Sequence, residues 1–325
     1  MPILKVAVSA ALLYILFSKV DARLVWDSVS SVGAGWIVSA ALLFAALQCI
    51  STYRWSIVLG RDVHVPYPRL LSMYFVGMFF NSFLPTIVGG DVVKGYYLYR
   101  ETGRGGAAFA SILMDRYSGF AALMTITFVA LLIGGGAVHA TGGTGLVVVF
   151  AALVGGFLGA SLFLWFERLH QWLVRALSGI RLMGLNEKVD AFYRTFTGYR
   201  QSPSMLVGVF LISLAIQCGV ITGYFMLGRG MGVGVPIGYF FLFVPLATTA
   251  SMIPLSLSGL GIREGVFVFL FSRAGMDRED ALALSLLWFL VTVVVSLPGA
   301  VEYIRRGPPG DVPADSNGGH HKRKN

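Results

Sequence analysis

Two stretches of this chain interrupt long apolar runs with the same punctuation. The first reads Leu84-Pro85-Thr86-Ile87-Val88-Gly89-Gly90-Asp91-Val92-Val93-Lys94-Gly95, and the second Ile253-Pro254-Leu255-Ser256-Leu257-Ser258-Gly259-Leu260-Gly261-Ile262-Arg263-Glu264-Gly265. Each has a proline, a glycine five places later and a cation nine places later. Each also carries a carboxylate, Asp91 or Glu264. Apolar segments broken in this way, with charge at the break, are how many membrane transporters build a substrate site.

The match holds beyond the breaks at one offset. A shift of 169 residues takes Pro85 to Pro254, Gly90 to Gly259 and Lys94 to Arg263, and it also takes Gln48-Cys49 to Gln217-Cys218 and Ser82 to Ser251. Apolar matches are cheap in such a chain, but these are not. They indicate a degenerate internal duplication.

The 325 residues are 56% hydrophobic and 13% charged, which excludes an ordinary soluble domain. Several runs approach or exceed the roughly 20 apolar residues that cross a bilayer. The net charge of +9 lies in loops and the tail. It fits topology control and anionic lipid rather than nucleic acid. Two cysteines, Cys49 and Cys218, give neither a disulfide framework nor a metal spacing. No phosphate-binding loop is present, and the reading needs no cofactor and no metal.

In chain order, residues 3–17 form a short first span, since the charges at Lys19 and Asp21 argue against a cleaved signal. A charged loop follows, then spans over 36–59, 106–133, 146–166, 205–227 and 281–304. Residues 70–84 and 92–99 flank the first break, and 237–253 and 265–271 the second. None of these four arms crosses comfortably alone, so each pair is expected as a re-entrant helical hairpin, its irregular backbone lining a cavity. Glycine-rich residues 134–145 are expected as a loop. Residues 167–203 begin as an amphipathic helix on the membrane surface. Residues 307–325 are expected as a disordered tail.

Residues 167–200 carry six Lys/Arg and residues 134–145 none, which places the first inside and the second outside. Both termini then fall on the cytoplasmic side of a bacterial-type inner membrane. The expected fold is an all-α polytopic domain over residues 1–306, with repeats at about 1–134 and 145–306 in opposite orientation. Six full transmembrane helices and two opposed re-entrant hairpins compose it.

A charge at the bilayer centre costs roughly 2.5–3.5 kcal/mol on insertion scales. Asp91, Lys94, Arg263 and Glu264 must therefore pair, snorkel or face a wet cavity. Gly89, Gly90, Gly259 and Gly261 leave backbone N–H groups approachable where a new helix starts, a setting that favours a phosphate or carboxylate. Pro85 and Pro254 are the candidate hinges. Asn81, Ser82, Ser256 and Ser258 add neutral hydrogen bonds, and Asp115-Arg116 adds a charged pair near the inner interface. The structural alternative pairs Lys94 with Asp91, and Arg263 with Glu264 or Asp115. Gln48 and Gln217 suit interhelical hydrogen bonds, and Tyr96, Tyr97 and Tyr99 an interfacial belt.

Phe83-Leu84-Pro85, Gly89-Gly90-Asp91, Lys94-Gly95, Asp115-Arg116 and Gly259-Leu260-Gly261-Ile262-Arg263-Glu264-Gly265 together resemble the transmembrane region of the lysylphosphatidylglycerol synthase family, also described as flippase-like. The resemblance covers about residues 3–304. It implies translocation of a lipid between leaflets, and not aminoacyl transfer, because the family's soluble synthase domain is missing here.

The leading expectation is a lipid translocase, not an enzyme, moving an anionic phospholipid or polyprenyl-phosphate-linked lipid. Lys94 and Arg263 hold the phosphate, while Asp91 and Glu264 orient them and exchange protons. Two alternatives are a membrane-embedded transferase and a non-transporting partner of lipid- or glycolipid-synthesis enzymes. A second copy of the chain or such an enzyme is the expected protein partner.

Overall fold

The computed structural model describes residues 20–60, 63–83, 89–140, 144–165, 198–251 and 261–306. Among them the chain is helical, with no strand. The helices are α1 (Ala22–Ser31), α2 (Ala34–Leu59), α3 (Tyr67–Phe83), α4 (Gly89–Thr102), α5 (Gly105–Ala140), α6 (Thr144–Trp165), α7 (Pro203–Gly230), α8 (Ile237–Ser251), α9 (Ile262–Phe271) and α10 (Arg278–Arg306). Four of them, α2, α5 through Gly134, α7 and α10, are long and apolar enough to cross a membrane. This is an integral membrane protein with several apolar helices.

Helix ends follow local chemistry. Asp21 caps α1, its carboxylate accepting from the Arg23 N–H at 2.8 Å. Proline opens α7 where no intrahelical donor is needed. Gly261 enters α9 at φ 88°, a backbone only glycine adopts freely. Glu264 then reaches back, accepting from the Gly261 N–H at 2.7 Å. Glu279 and Asp280 open α10, and Arg305 and Arg306 close it, each matched to the helix dipole.

The arms at the first break run antiparallel and touching. Arg69 of α3 pairs with Glu101 of α4 at one end, and Asn81 accepts from the Gly90 N–H at 2.9 Å at the other. A Cβ on Gly90 would collide with the Gly77 carbonyl. Glycine at 90 lets the two backbones meet, as small residues do between membrane helices. On its other side α3 packs on α10. Ser72 Oγ donates to Glu302 Oε2 at 2.7 Å, Phe80 meets the edge of Tyr303, and Gly299 accommodates the Phe75 carbonyl.

The arms at the second break pair likewise. Phe240 and Phe243, near the start of α8, contact Phe271 at the end of α9. Tyr224 of α7 stacks on Phe267 and on Trp288, with ring centroids 5.1 and 4.4 Å apart. These rings pack within the largest hydrophobic cluster. Its hydrophobic payload anchors α7, α9 and α10 to one another. Across the molecule α2 packs against α7, where Leu47 lies over Gly219.

Two expectations are corrected. Residues 134–140 continue α5 as helix and are not loop. Each glycine costs a helix about 1 kcal/mol relative to alanine, too little to stop one already propagating. The charged loop after the first span contains α1, which docks on α10 through Ser28 Oγ donating to Asp280 Oδ1 at 2.7 Å. The expected first span, most of the amphipathic segment and the tail lie outside the described residues, as do Pro85, Pro254, Ser256, Ser258 and Gly259.

Candidate functional site

Five charged side chains from three helices converge beside the first break. Arg54 comes from α2, Asp91 and Lys94 from α4, and Asp115 and Arg116 from α5. With Tyr74 and Asn81 of α3 and Gln217 of α7 they line a cavity of about 290 Å³.

Asp115 is the hub. Its Oδ1 accepts from Arg54 Nη2 at 2.8 Å and from Nε at 3.2 Å, and its Oδ2 faces Lys94 Nζ at 3.2 Å. Arg54 also donates through Nη1 to Ser213 Oγ of α7 at 2.8 Å. The Lys94 ammonium sits over the rings of Trp55 and Tyr74, 4.3 and 4.5 Å from their centroids. Ring faces are negative, so this pocket favours a cation without neutralising it. Asp91 accepts from Arg116 Nε at 2.6 Å. The Lys94, Asp115 and Asp91 side chains are 4%, 5% and 8% exposed, but Arg116 is 48% exposed.

The helix architecture supplies this arrangement. Asp91 and Lys94 fall one turn apart on α4, on the face turned to α5. Asp91 is in the first turn of α4, where the dipole favours negative charge. Asn81 satisfies the Gly90 N–H there, while Ser82 bonds back into its own helix at the Met78 carbonyl.

Three cations thus surround the cavity with two carboxylates. The buried charges, Arg54 and Lys94 with Asp91 and Asp115, balance, and the cation in excess, Arg116, is the half-exposed one.

The matched cation in the second half is satisfied locally. Arg263 Nη2 and Nε donate to Glu264 Oε1 at 2.6 and 3.0 Å, with Ser285 Oγ 3.4 Å from the same oxygen. Glu264 is fully buried. The shift that takes Lys94 to Arg263 takes Asp115-Arg116 to Leu284-Ser285, so α10 offers no carboxylate there and the neighbouring residue serves instead.

The pairing differs from one sequence alternative. Lys94 contacts Asp115, and Asp91 contacts Arg116. Asp115 lies at the centre of the cluster. Among the described residues, the cavity lining includes Lys94, Asp91, Asp115, Arg116 and Asn81 but neither Arg263 nor Glu264. Gln217 donates to the Gly119 carbonyl at 3.2 Å, bridging α7 and α5. Tyr97 is buried while Tyr99 is half exposed, so the three tyrosines do not share one environment. Arg54, Trp55, Tyr74 and Ser213 went unnoticed as site residues in the sequence. Arg54 had a signal: a cation within an apolar span requires a partner.

A family model described as the lysylphosphatidylglycerol synthase TM region matches residues 3–299. A UPF0104 membrane protein of Methanothermobacter thermautotrophicus is 24% identical over 293 residues, spanning 81% of this chain and 82% of that protein.

Proposed function

The chain belongs to the lysylphosphatidylglycerol synthase TM region family, and from that premise we propose that it is a flippase-like translocase for an anionic lipid. The observation that carries this reading is the excess of cations around the cavity. Lys94, supported by Arg54 and Arg116, receives the phosphate of a phospholipid or polyprenyl-phosphate-linked lipid. Arg263, held by Glu264, is its counterpart in the other half.

The two halves are inverted repeats, and each antiparallel arm pair re-enters the membrane from its own face. The helix bounds support this. The 169-residue shift carries α2, α3, α4 and α5 onto α7, α8, α9 and α10 within a few residues. Packing partners follow the same rule: α3 on α10 maps to α8 on α5, and α4 on α5 maps to α9 on α10. Halves related in this way expose a shared site to either leaflet by rocking against each other. The protein sits in a bacterial-type inner membrane, and the distribution of Lys and Arg supports cytoplasmic termini.

The test is leaflet-resolved transport in proteoliposomes, with labelled phosphatidylglycerol and phosphatidylcholine. Phosphatidylglycerol is expected to cross, and Lys94→Ala is expected to slow it at least tenfold in folded protein. If Lys94→Ala and Arg263→Ala both transport at the wild-type rate, the mechanism is wrong.

A further inference from the structure

A second cavity adjoins the charged one. It is an apolar groove of about 600 Å³ between α4 and α5, lined by Val92, Gly95, Tyr99, Phe109, Ile112 and Leu113 among others. Val92, Tyr99 and Phe109 are 66%, 51% and 58% exposed, so the groove opens sideways towards the surrounding membrane. Two residues belong to both linings, Asp91 and Arg116. Their ion pair therefore stands where the polar chamber meets the apolar groove.

We infer that the Arg116–Asp91 pair is a lateral gate, and that the occupant of the joined cavities is a glycerophospholipid with one phosphate and a small headgroup. This rests on the translocase reading and narrows its substrate. The phosphate enters beside Arg116 and takes the place of the Asp91 carboxylate. Lys94 and Arg54 lie deeper in the same chamber, and one acyl chain lies in the groove. A chamber of about 290 Å³ has room for roughly ten waters. A glycerol phosphate fits that space. Gly95 lets Ile112 of α5 pack close beside the groove, since a Cβ there would stand 2.8 Å from Ile112 Cδ1.

The experiment uses the full chain in nanodiscs with phosphatidylglycerol bearing a photoactivatable diazirine in one acyl chain. Adducts are mapped by mass spectrometry. They are expected on the α4 and α5 residues of the groove, and unlabelled phosphatidylglycerol is expected to suppress them. Phosphatidylcholine and inorganic phosphate are expected not to suppress them. Arg116→Gln is expected to reduce adducts at least tenfold, and Arg116→Lys to restore part of the loss. Leu113→Trp, which fills the groove without touching a charge, should reduce them equally. Thermal unfolding of each variant confirms its fold.

Equal labelling by a phosphatidylcholine probe, or labelling indifferent to Arg116→Gln, would mean ordinary boundary lipid and overturn the proposal. Suppression by inorganic phosphate as strong as that by phosphatidylglycerol would mean an anion site without a chain site, and would overturn it too. Lys94-dependent transport alongside either result leaves the translocase reading standing. Charge-dependent labelling without transport by the wild type sinks the translocase reading and leaves the lipid site in place.

Discussion

Lys94 and Asp115 pair at 3.2 Å between α4 and α5, and both side chains are almost sealed from solvent. The same carboxylate holds Arg54 at 2.8 Å, so one anion neutralises part of two buried cations. Its removal leaves both exposed to each other's repulsion in a low-dielectric setting.

Asp115→Asn is therefore expected to destabilise the protein by about 3–5 kcal/mol, the usual cost of stripping one partner from a buried pair. Thermal unfolding in detergent reads it. Adding Lys94→Met to Asp115→Asn removes one stranded cation and should recover part of the loss. A double variant no more stable than the single one would show that Lys94 and Asp115 are not coupled.

Glycine-to-alanine substitutions should separate the two kinds of glycine in these motifs. Gly90→Ala forces a methyl into the Gly77 carbonyl and should cost about 1–3 kcal/mol. Gly265, in α9, has open space at its Cβ position. Gly265→Ala should be neutral, or stabilising by up to about 1 kcal/mol. Unfolding curves of the two variants that coincide would contradict the close approach of α3 and α4.

Gly261→Ala tests the start of α9. The φ of 88° strains any L-residue, and a conformation of this kind costs about 1–3 kcal/mol. The N–H it presents to Glu264 is displaced as the backbone relaxes. Proteolysis near residue 261 should accelerate in the variant relative to the wild type. An unchanged cleavage rate would argue against the strained entry into α9.

The rocking motion makes a prediction at the interface of α3 and α10. Ser72 and Glu302 are hydrogen-bonded across it. In a background with Cys49→Ser and Cys218→Ser, a short thiol cross-link between Ser72→Cys and Glu302→Cys should stop transport, and reduction should restore it. Undiminished transport in fully cross-linked protein would exclude separation of these helices from the cycle.

Much of this was legible in the sequence because lipid is a harsh solvent for charge. Asp91, Lys94, Asp115 and Arg116 stand out in apolar surroundings, and four of the charges that line the cavity were candidates on that ground alone. Their partners were not legible. Asp91 is three residues from Lys94, yet the ammonium turns to Asp115 because α5 packs on the face of α4 that carries it. Arg54 entered through the position of α2 against α5 and α7, which no local pattern encodes. The continuation of α5 through 134–140 was hidden for a different reason. Glycine lowers helix propensity without forbidding the helix, so a glycine run does not end a helix that already runs into it.

The contact of Gly90 with Gly77 has a mechanical consequence. With carbonyl against Cα and no side chain between the two glycines, α3 and α4 have no compressible layer at this point. They move as one stiff plank, hung on α10 through Ser72 and Glu302. On the other flank of α4 the contact with α5 is made by side chains such as Ile112 over Gly95, which can change rotamer without breaking the backbone. Any swing of the plank must therefore turn about that softer edge, and this is the edge that carries Asp91 and Arg116.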